Sequence, residues 1–326
     1  MPQKICIISF DHWDYDHHIV TALQKKGIDS FHIKIGQFKH KNFWARIHNS
    51  LSKIFLNKNP KLVKRQEYII ETLKLRGIQD QILVLNPELI DLAYHKQIKS
   101  YTKKYVAYLY DSMARCSITH LLDGVFDAIY SFDKEDIQHY GFTPTTNYNY
   151  IEKIQKSAPS DIKNDVLYIA SFDNRIAKLF RLQAYLEQLQ KTYHFIVIGK
   201  KTSLYKWSHF FSTQLKNIHL RRSKIPQNEV HEYYKQTKVI VDLVRQNQTG
   251  VSFRIFEAMA FEKKVITSNK NIVEYDFYNP ANIMLIDEEA IAIDSSFFDT
   301  PYESLPEAVY TYYTLSAWVD RIFNLK

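Results

Sequence analysis

Residues 239–268 read VIVDLVRQNQTGVSFRIFEAMAFEKKVITS. Val239 to Leu243 is a short apolar, β-branched run, the pattern of a buried strand. Gly250 supplies a flexible turn, Phe253 to Phe261 has helical character, and Lys264 to Thr267 is a second apolar strand. A strand, a small-residue turn and a helix start make a place to hold an anion, because the first helical N–H groups are unpaired and the helix dipole is positive there. Ser252 offers a hydroxyl and an amide to a phosphate, and Glu257, one turn inside the helix, reaches a ribose diol. Phosphate at the helix start and carboxylate a turn later suit a nucleotide-sugar. The plain alternative is an amphipathic helix packed on a sheet.

Strands and helices alternate outward from this segment. Lys4 to Phe10, Ser30 to Ile35, Gln81 to Leu85, Lys104 to Tyr110 and Ala128 to Ser131 read as strands, with helices near His17 to Lys26 and Lys134 to Tyr140. Tyr148 to Asn164 is polar and irregular, the character of a linker. A second series follows. It has strands at Asp165 to Ala170, His194 to Ile198 and Asn217 to Leu220, and helices at Arg175 to Leu189 and Glu229 to Gln236. An aromatic helix, Leu305 to Phe323, closes the chain. Such alternation implies an α/β fold with parallel, doubly wound sheets. A length of 326 residues accommodates two domains of about 150 residues each. The expected divisions are 1–155, 156–305 and a terminal helix 306–326.

In open α/β sheets, ligands bind beyond the carboxyl ends of the strands. That rule selects Ser171 to Arg175, Gly199 to Lys201 and Arg245 to Arg254 in the second half, and Asp11 to His18, Asn86 to Glu88 and Asp111 to Arg115 in the first. Two such crevices facing each other would form a donor–acceptor cleft. Arg175 starts a helix after a strand and can pair bidentately with a diphosphate; Lys200 and Arg254 are alternatives for the same charge. Asp111 ends a buried strand and is a candidate base for an acceptor hydroxyl, with His17 or His18 as the other candidates. Asp14-Tyr15-Asp16 has the form of a DxD metal motif but lies away from the donor segment, so no metal is expected. Asp133 reads as an N-cap with Asp136 at the third helical position.

The run RIFEAMAFEKKVITS resembles the donor-binding segment of GT-B glycosyltransferases, and YIASFDNRIAKL is similar to the first strand–loop–helix of their second domain. The usual proline is Lys264, the usual glycine is Ala170, and the earlier glutamate of many retaining members is Thr249. Within that group the pattern looks nearest to CgeB-like and capsule or lipopolysaccharide transferases. The resemblance implies two Rossmann-like domains around a central cleft, a terminal helix crossing back to the first domain, and transfer from a nucleotide-sugar to a carbohydrate or lipid-linked acceptor. It carries Glu257 over as a donor ligand. A sugar-nucleotide epimerase of the same architecture, and a polysaccharide-binding protein without catalysis, stay open beside it.

Composition narrows the classes. The seven glycines include none after the first strand, so the dinucleotide fingerprint and the P-loop are both absent. No apolar run approaches the ~20 residues that span a bilayer, and the start, MPQKICIISFDHWD, lacks a signal-peptide pattern. Cys6 and Cys116 read as small core residues of a reducing compartment. The expected location is therefore cytoplasmic. The net charge of +8 is unevenly placed: Ser30 to Gln66 contains no acidic residue. Lys39, Lys41, Trp44, Arg46 and Lys53 fall there among aromatics near helical spacing, a pattern for an anionic membrane surface. The alternative is a core helix with a basic solvated face. No nucleic-acid motif accompanies the patch.

Overall fold

The computed structural model describes residues 3–11, 13–37, 60–208, 215 and 217–325. The chain forms two compact units, Met1–Thr146 with Leu315–Lys326, and Asn147–Thr314.

Unit 1 runs β1 (Lys4–Ser9), α1 (Asp16–Lys25), β2 (Asp29–Lys34), α2 (Pro60–Arg76), β3 (Gln79–Val84), α3 (Leu92–Lys99), β4 (Thr102–Leu109), β5 (Ala128–Ser131), α4 (Lys134–Tyr140) and β6 (Thr143–Pro144). Its six strands lie in the order β2-β1-β3-β4-β5-β6, all parallel. Central strands of a parallel sheet are covered on both faces, and Ile5 to Ile8 are each 0% exposed. The two-residue β6 carries no readable period and was not expected from sequence. Asp133 does cap α4, accepting from the amides of Glu135 and Asp136 at 3.1 and 3.3 Å.

The expected helix from Leu305 to Phe323 is two helices. Leu315–Phe323 belongs to unit 1, where Trp318 is wholly buried. Its indole N–H donates to Thr146 O at 2.9 Å, and its ring meets Tyr108 at a centroid distance of 5.3 Å. The end of this helix is fixed by Gln81, whose amide donates to Phe323 O at 2.8 Å. The preceding Glu307–Tyr312 stays with unit 2. The break falls at Tyr313–Thr314, where Thr314 Oγ1 donates back to Thr311 O at 2.7 Å.

Unit 2 contains β7 (Asn164–Ser171), α5 (Ile176–Gln188), β8 (Tyr193–Ile198), α6 (Thr202–Ser208), β9 (Ile218–Arg221), α7 (Gln227–Lys235), β10 (Thr237–Asp242), α8 (Phe253–Ala260), β11 (Lys264–Thr267), β12 (Ile283–Leu285) and α9 (Glu307–Tyr312). The order β12-β11-β10-β7-β8-β9 is again parallel throughout. Counted from β7, this is the 3-2-1-4-5-6 order of a Rossmann sheet, whose switch point lies between β7 and β10. In unit 1 the corresponding point is between β1 and β3. Helix α5 buries Leu179, Leu182, Gln183 and Leu186, the one-sided stripe of a surface helix. Helix α8 is buried from Ile255 through Ala260, so no stripe is visible in its sequence. Gly199, after β8, has no room for a side chain: an added Cβ would lie 2.9 Å from Phe172 Cβ.

Candidate functional site

The carboxyl ends of β7 and β10 meet at the switch point of unit 2. The loop after β7 carries Asp173 and Arg175. Arg175 caps the start of α5 and is 5% exposed. Its Nε and Nη2 donate to the two Asp173 oxygens at 2.8 and 2.7 Å, and Nη1 donates to Leu243 O at 2.8 Å. The expected diphosphate partner is thus an internal brace, with its planar fork filled by a carboxylate. Burial pushes the Asp173 carboxyl up, but the hydrogen bonds and charge of Arg175, with Arg245 behind them, hold it below the usual range.

Arg245, in the loop after β10, donates from Nε to Asp173 Oδ2 at 3.2 Å and keeps its side chain 30% exposed. Asp173 is thus shared by two guanidiniums. Arg245 was not singled out from the sequence, although it heads the strand-end stretch that the crevice rule selected. The two arginines differ in burial: Arg175 is 5% exposed and also bonds Leu243 O, while the Arg245 side chain is 30% exposed. Lys200, after β8, is exposed and meets no polar partner among the described residues.

Arg254 and Ser252 are also committed inward. Arg254 donates from Nε and Nη2 to Ile169 O at 3.1 and 2.9 Å, and its Nη1 pairs with Asp242. Burial alone would lower the Arg254 pKa; the charges of Asp242, Tyr234, Tyr168 and Glu257 together outweigh it and raise it. Ser252 Oγ donates to Asp242 Oδ1 at 2.8 Å. These bonds tie the start of α8 to β7 and β10. Glu257 is 5% exposed. Tyr150 donates to its Oε1 at 2.7 Å and Tyr234 to its Oε2 at 2.8 Å. Both oxygens of the expected ribose ligand therefore serve a buried tyrosine pair, which fixes the rotation of α8. Sequence spacing places Glu257 one turn into the helix but does not show which way the side chain turns.

The turn before α8 is held through its carbonyls. Asn269 Nδ2 donates to Thr249 O and Gly250 O at 3.3 and 3.1 Å, Asn271 to Thr249 O at 3.2 Å, and Asn147 to Val251 O at 2.9 Å. Among the described residues no protein group accepts from the amides of Val251 or Ser252. Amides at a helix start and a part-buried arginine after the neighbouring strand are group types suited to a diphosphate.

Unit 1 gathers titratable groups at the end of β1. Lys34 Nζ lies 2.7 Å from Asp11 Oδ2 and 2.6 Å from Asp14 Oδ1. His17 Nδ1 lies 3.8 Å from Asp14 Oδ1. Donor atoms of Asp11, Asp14 and His17 come within 4.8 Å of one another, and the Lys34 ammonium sits on both carboxylates. Asp16, inside the first turn of α1 and 2% exposed, accepts from the Tyr110 hydroxyl at 2.7 Å. Burial, and then the Asp11 charge, push its carboxyl up to about 7. Burial drives His32 down to about 4; its Nε2 is 2.8 Å from Ser9 Oγ. Asp111 is paired with Arg115 at 2.8 Å. Lys39, Lys41, Trp44, Arg46 and Lys53 lie outside the described residues.

Residues 178–299 match the model of a glycosyl transferase-like family. The whole chain superposes on an α-glucosyltransferase bound to UDP and a 13-mer DNA containing a HMU base, covering 100% of this chain and 99% of that one, with a TM-score of 0.62 at 13% identity. The fold is GT-B. Further GT-B-like neighbours are a UDP-forming α,α-trehalose-phosphate synthase from Burkholderia xenovorans and MnaA from S. aureus in complex with UDP. Their TM-scores are 0.57 and 0.54, at 12% and 13% identity, and each alignment covers 99% of this chain and 98% of the other. At such identities the likeness concerns architecture. A comparison with curated proteins gives no match. No described helix is long and apolar enough to cross a membrane.

Proposed function

We propose that the protein is a glycosyltransferase that moves a sugar from a nucleotide-sugar to a carbohydrate or lipid-linked acceptor. What supports this reading is the β7–β10 switch point of a GT-B sheet, where the loop after β10 carries Arg245 and the turn before α8 carries the Val251 and Ser252 amides. Unit 2 holds the donor. Arg245, Lys200 and the Gly250–Ser252 turn face the diphosphate, while Arg175, Arg254 and Glu257 brace that surface from inside. Fixed cations and amides stabilise the leaving nucleoside diphosphate as the glycosidic bond breaks, so donor binding needs no metal. UDP in solved neighbours of the same fold makes UDP the first nucleotide to test.

Unit 1 receives the acceptor. Of the proton acceptors expected there, Asp111 is occupied by Arg115, and His17 stands beside Asp14. A role in bacterial surface polysaccharide synthesis, at the inner face of the plasma membrane, follows from the sequence resemblance and from the acid-free stretch between Ser30 and Gln66. The test is a thermal-shift screen of EDTA-treated protein against UDP, GDP, CDP, ADP and CMP. A ligand that binds only the folded state stabilises it by ~2.7 kcal/mol at a hundredfold excess over Kd. A shift with one nucleotide that Arg245→Ala abolishes is the expected result. No shift with any of them overturns the donor site.

A further inference from the structure

Unit 2 carries a cavity of about 560 Å³ at the edge of its sheet, over β8 and β9. That volume suits a small molecule. In the parallel register Ile196 pairs with His219, and side chains alternate between the faces of a strand. His194, Ile196, His219 and Arg221 therefore share one face. Tyr233 of α7 lies over it, its ring edge-on to His194 at a centroid distance of 5.0 Å. Lys206 of α6 joins the lining.

Elsewhere this face is apolar, with Ile196 and Ile198 packed against Ile225, Val230 and Tyr233. The two histidines interrupt it, their rings 4.8 Å apart at 80°. Polar groups withdrawn from water are normally hydrogen-bonded. His194 is half-buried, yet among the described residues neither imidazole has a hydrogen-bond or carboxylate partner. The charge around them has one sign. Lys206, Arg221 and both histidines line the cavity, and no carboxylate does. Arg221 pairs with Glu229 at 2.6 Å, and Tyr233 donates to the same carboxylate at 2.8 Å. Lys206 is exposed and has no polar partner among the described residues. Beyond Arg221 the chain continues through Arg222 and Lys224, both exposed. A cleft lined by one sign of charge concentrates the opposite ion.

We propose that this cavity binds a small phosphate monoester, with Lys206, Arg221 and the two imidazoles on its oxygens and Ile196 and Ile218 against its organic part. A monoester presents three terminal oxygens, which suits donors converging from α6, β8 and β9. The two cations oppose a metal ion on the histidine pair. The site lies within unit 2 and uses none of the groups at the ends of β7 and β10, so it stands apart from the transferase reading. Burial, and then the His219 charge, hold His194 below the ordinary imidazole value. A bound phosphate counters the His219 charge and draws a proton onto His194. The other groups facing His194 are Lys206, Arg221, Tyr233 and, behind Arg221, Glu229.

The experiment follows the imidazole Cε1–Hε1 signals of the histidine-labelled full chain by NMR as phenyl phosphate is added, with His194→Gln and His219→Gln assigning the two signals. Both signals should move together to saturation, and the pH at which His194 titrates should rise by about 1. Lys206→Ala, at an exposed position that leaves the fold intact, should weaken binding about 10-fold. Phenol, which has the ring without the phosphate, should move neither signal. The proposal is overturned if millimolar phenyl phosphate moves neither signal, if phenol moves them equally, or if Lys206→Ala leaves the titration unchanged. Movement with vesicles of phosphatidylcholine and phosphatidic acid, but not with phenyl phosphate, also overturns it and makes the edge of the sheet a lipid-headgroup surface.

Discussion

Replacing Asp16 by asparagine should make stability depend differently on pH, whatever the substrate. The folded chain holds the Asp16 proton up to about pH 7, while the unfolded chain releases it near 3.8. Between these values the folded state binds the extra proton, so the contribution of Asp16 to stability falls as pH rises through the window and is fully present only below it. A span of about 3 units at 1.36 kcal/mol each amounts to about 4 kcal/mol. Asparagine is neutral at every pH and has nearly the same shape, and its amide oxygen can still accept from Tyr110. His32 and His95, both driven down to about 4 by burial, act in the opposite sense between about pH 4 and 6.5, but they are present in both proteins and drop out of the difference. The assay is urea unfolding followed by tryptophan fluorescence, with wholly buried Trp318 as a reporter in unit 1. From pH 4.5 to 8 the variant should gain about 3 kcal/mol relative to wild type, with no further gain above pH 8. A difference that stays flat with pH would show Asp16 ionised in the folded state throughout, and the reasoning about its burial would be wrong.

Three other outcomes are expected. Arg245→Ala should lower UDP affinity about 10-fold or more, the loss of one charge-assisted contact of ~1.5 kcal/mol or above, without a large change in melting temperature; Arg175→Ala should instead cost about 1–3 kcal/mol of stability, because Leu243 O loses its donor and Asp173 keeps only Arg245. Titration of UDP binding and of denaturant midpoints separates the two. Glu257→Ala should destabilise unit 2 by about 2–4 kcal/mol even without ligand, since two buried tyrosine hydroxyls lose their acceptor; Glu257→Gln, which keeps an acceptor, should lose less. Gly199→Ala should cost about 1–3 kcal/mol, because the new methyl meets Phe172 Cβ at 2.9 Å; an unchanged melting temperature would show that the β8 end yields at no cost.

Much of the architecture is legible in residues close along the chain. The period-two and 3.6-residue patterns mark most strands and helices, because each element must bury its own side chains. The strand–turn–helix around Gly250 is legible for the same reason. Elements of two or three residues, β6 and β12, carry too little period to be seen. The terminal helix breaks at Tyr313–Thr314, which its aromatic run does not announce, because the two parts bury their rings in different units.

The site divides along the same line. Residue types and strand ends already select the stretch Arg245 to Arg254, in which Arg245 keeps its side chain 30% exposed. Arg175 pairs with Asp173 inside one loop, but its third contact, to Leu243 O, and the Arg245 contact to the same carboxylate form only when the β7 loop meets the end of β10. Glu257 and Arg254 lie in the most recognisable run of the sequence, yet both turn inward to tyrosines and to Asp242. Asp16 is the converse case. It reads as a helix-start acid among several, and is pushed up to about 7 only because the fold buries it beside the Asp11 charge, against the opposing hydrogen bond from Tyr110, 94 residues away. Sequence by itself determines which elements form and where strands end, since hydrophobic period is local. Which charged side chains are neutralised is decided by tertiary structure, since their partners come from distant segments and burial sets their protonation.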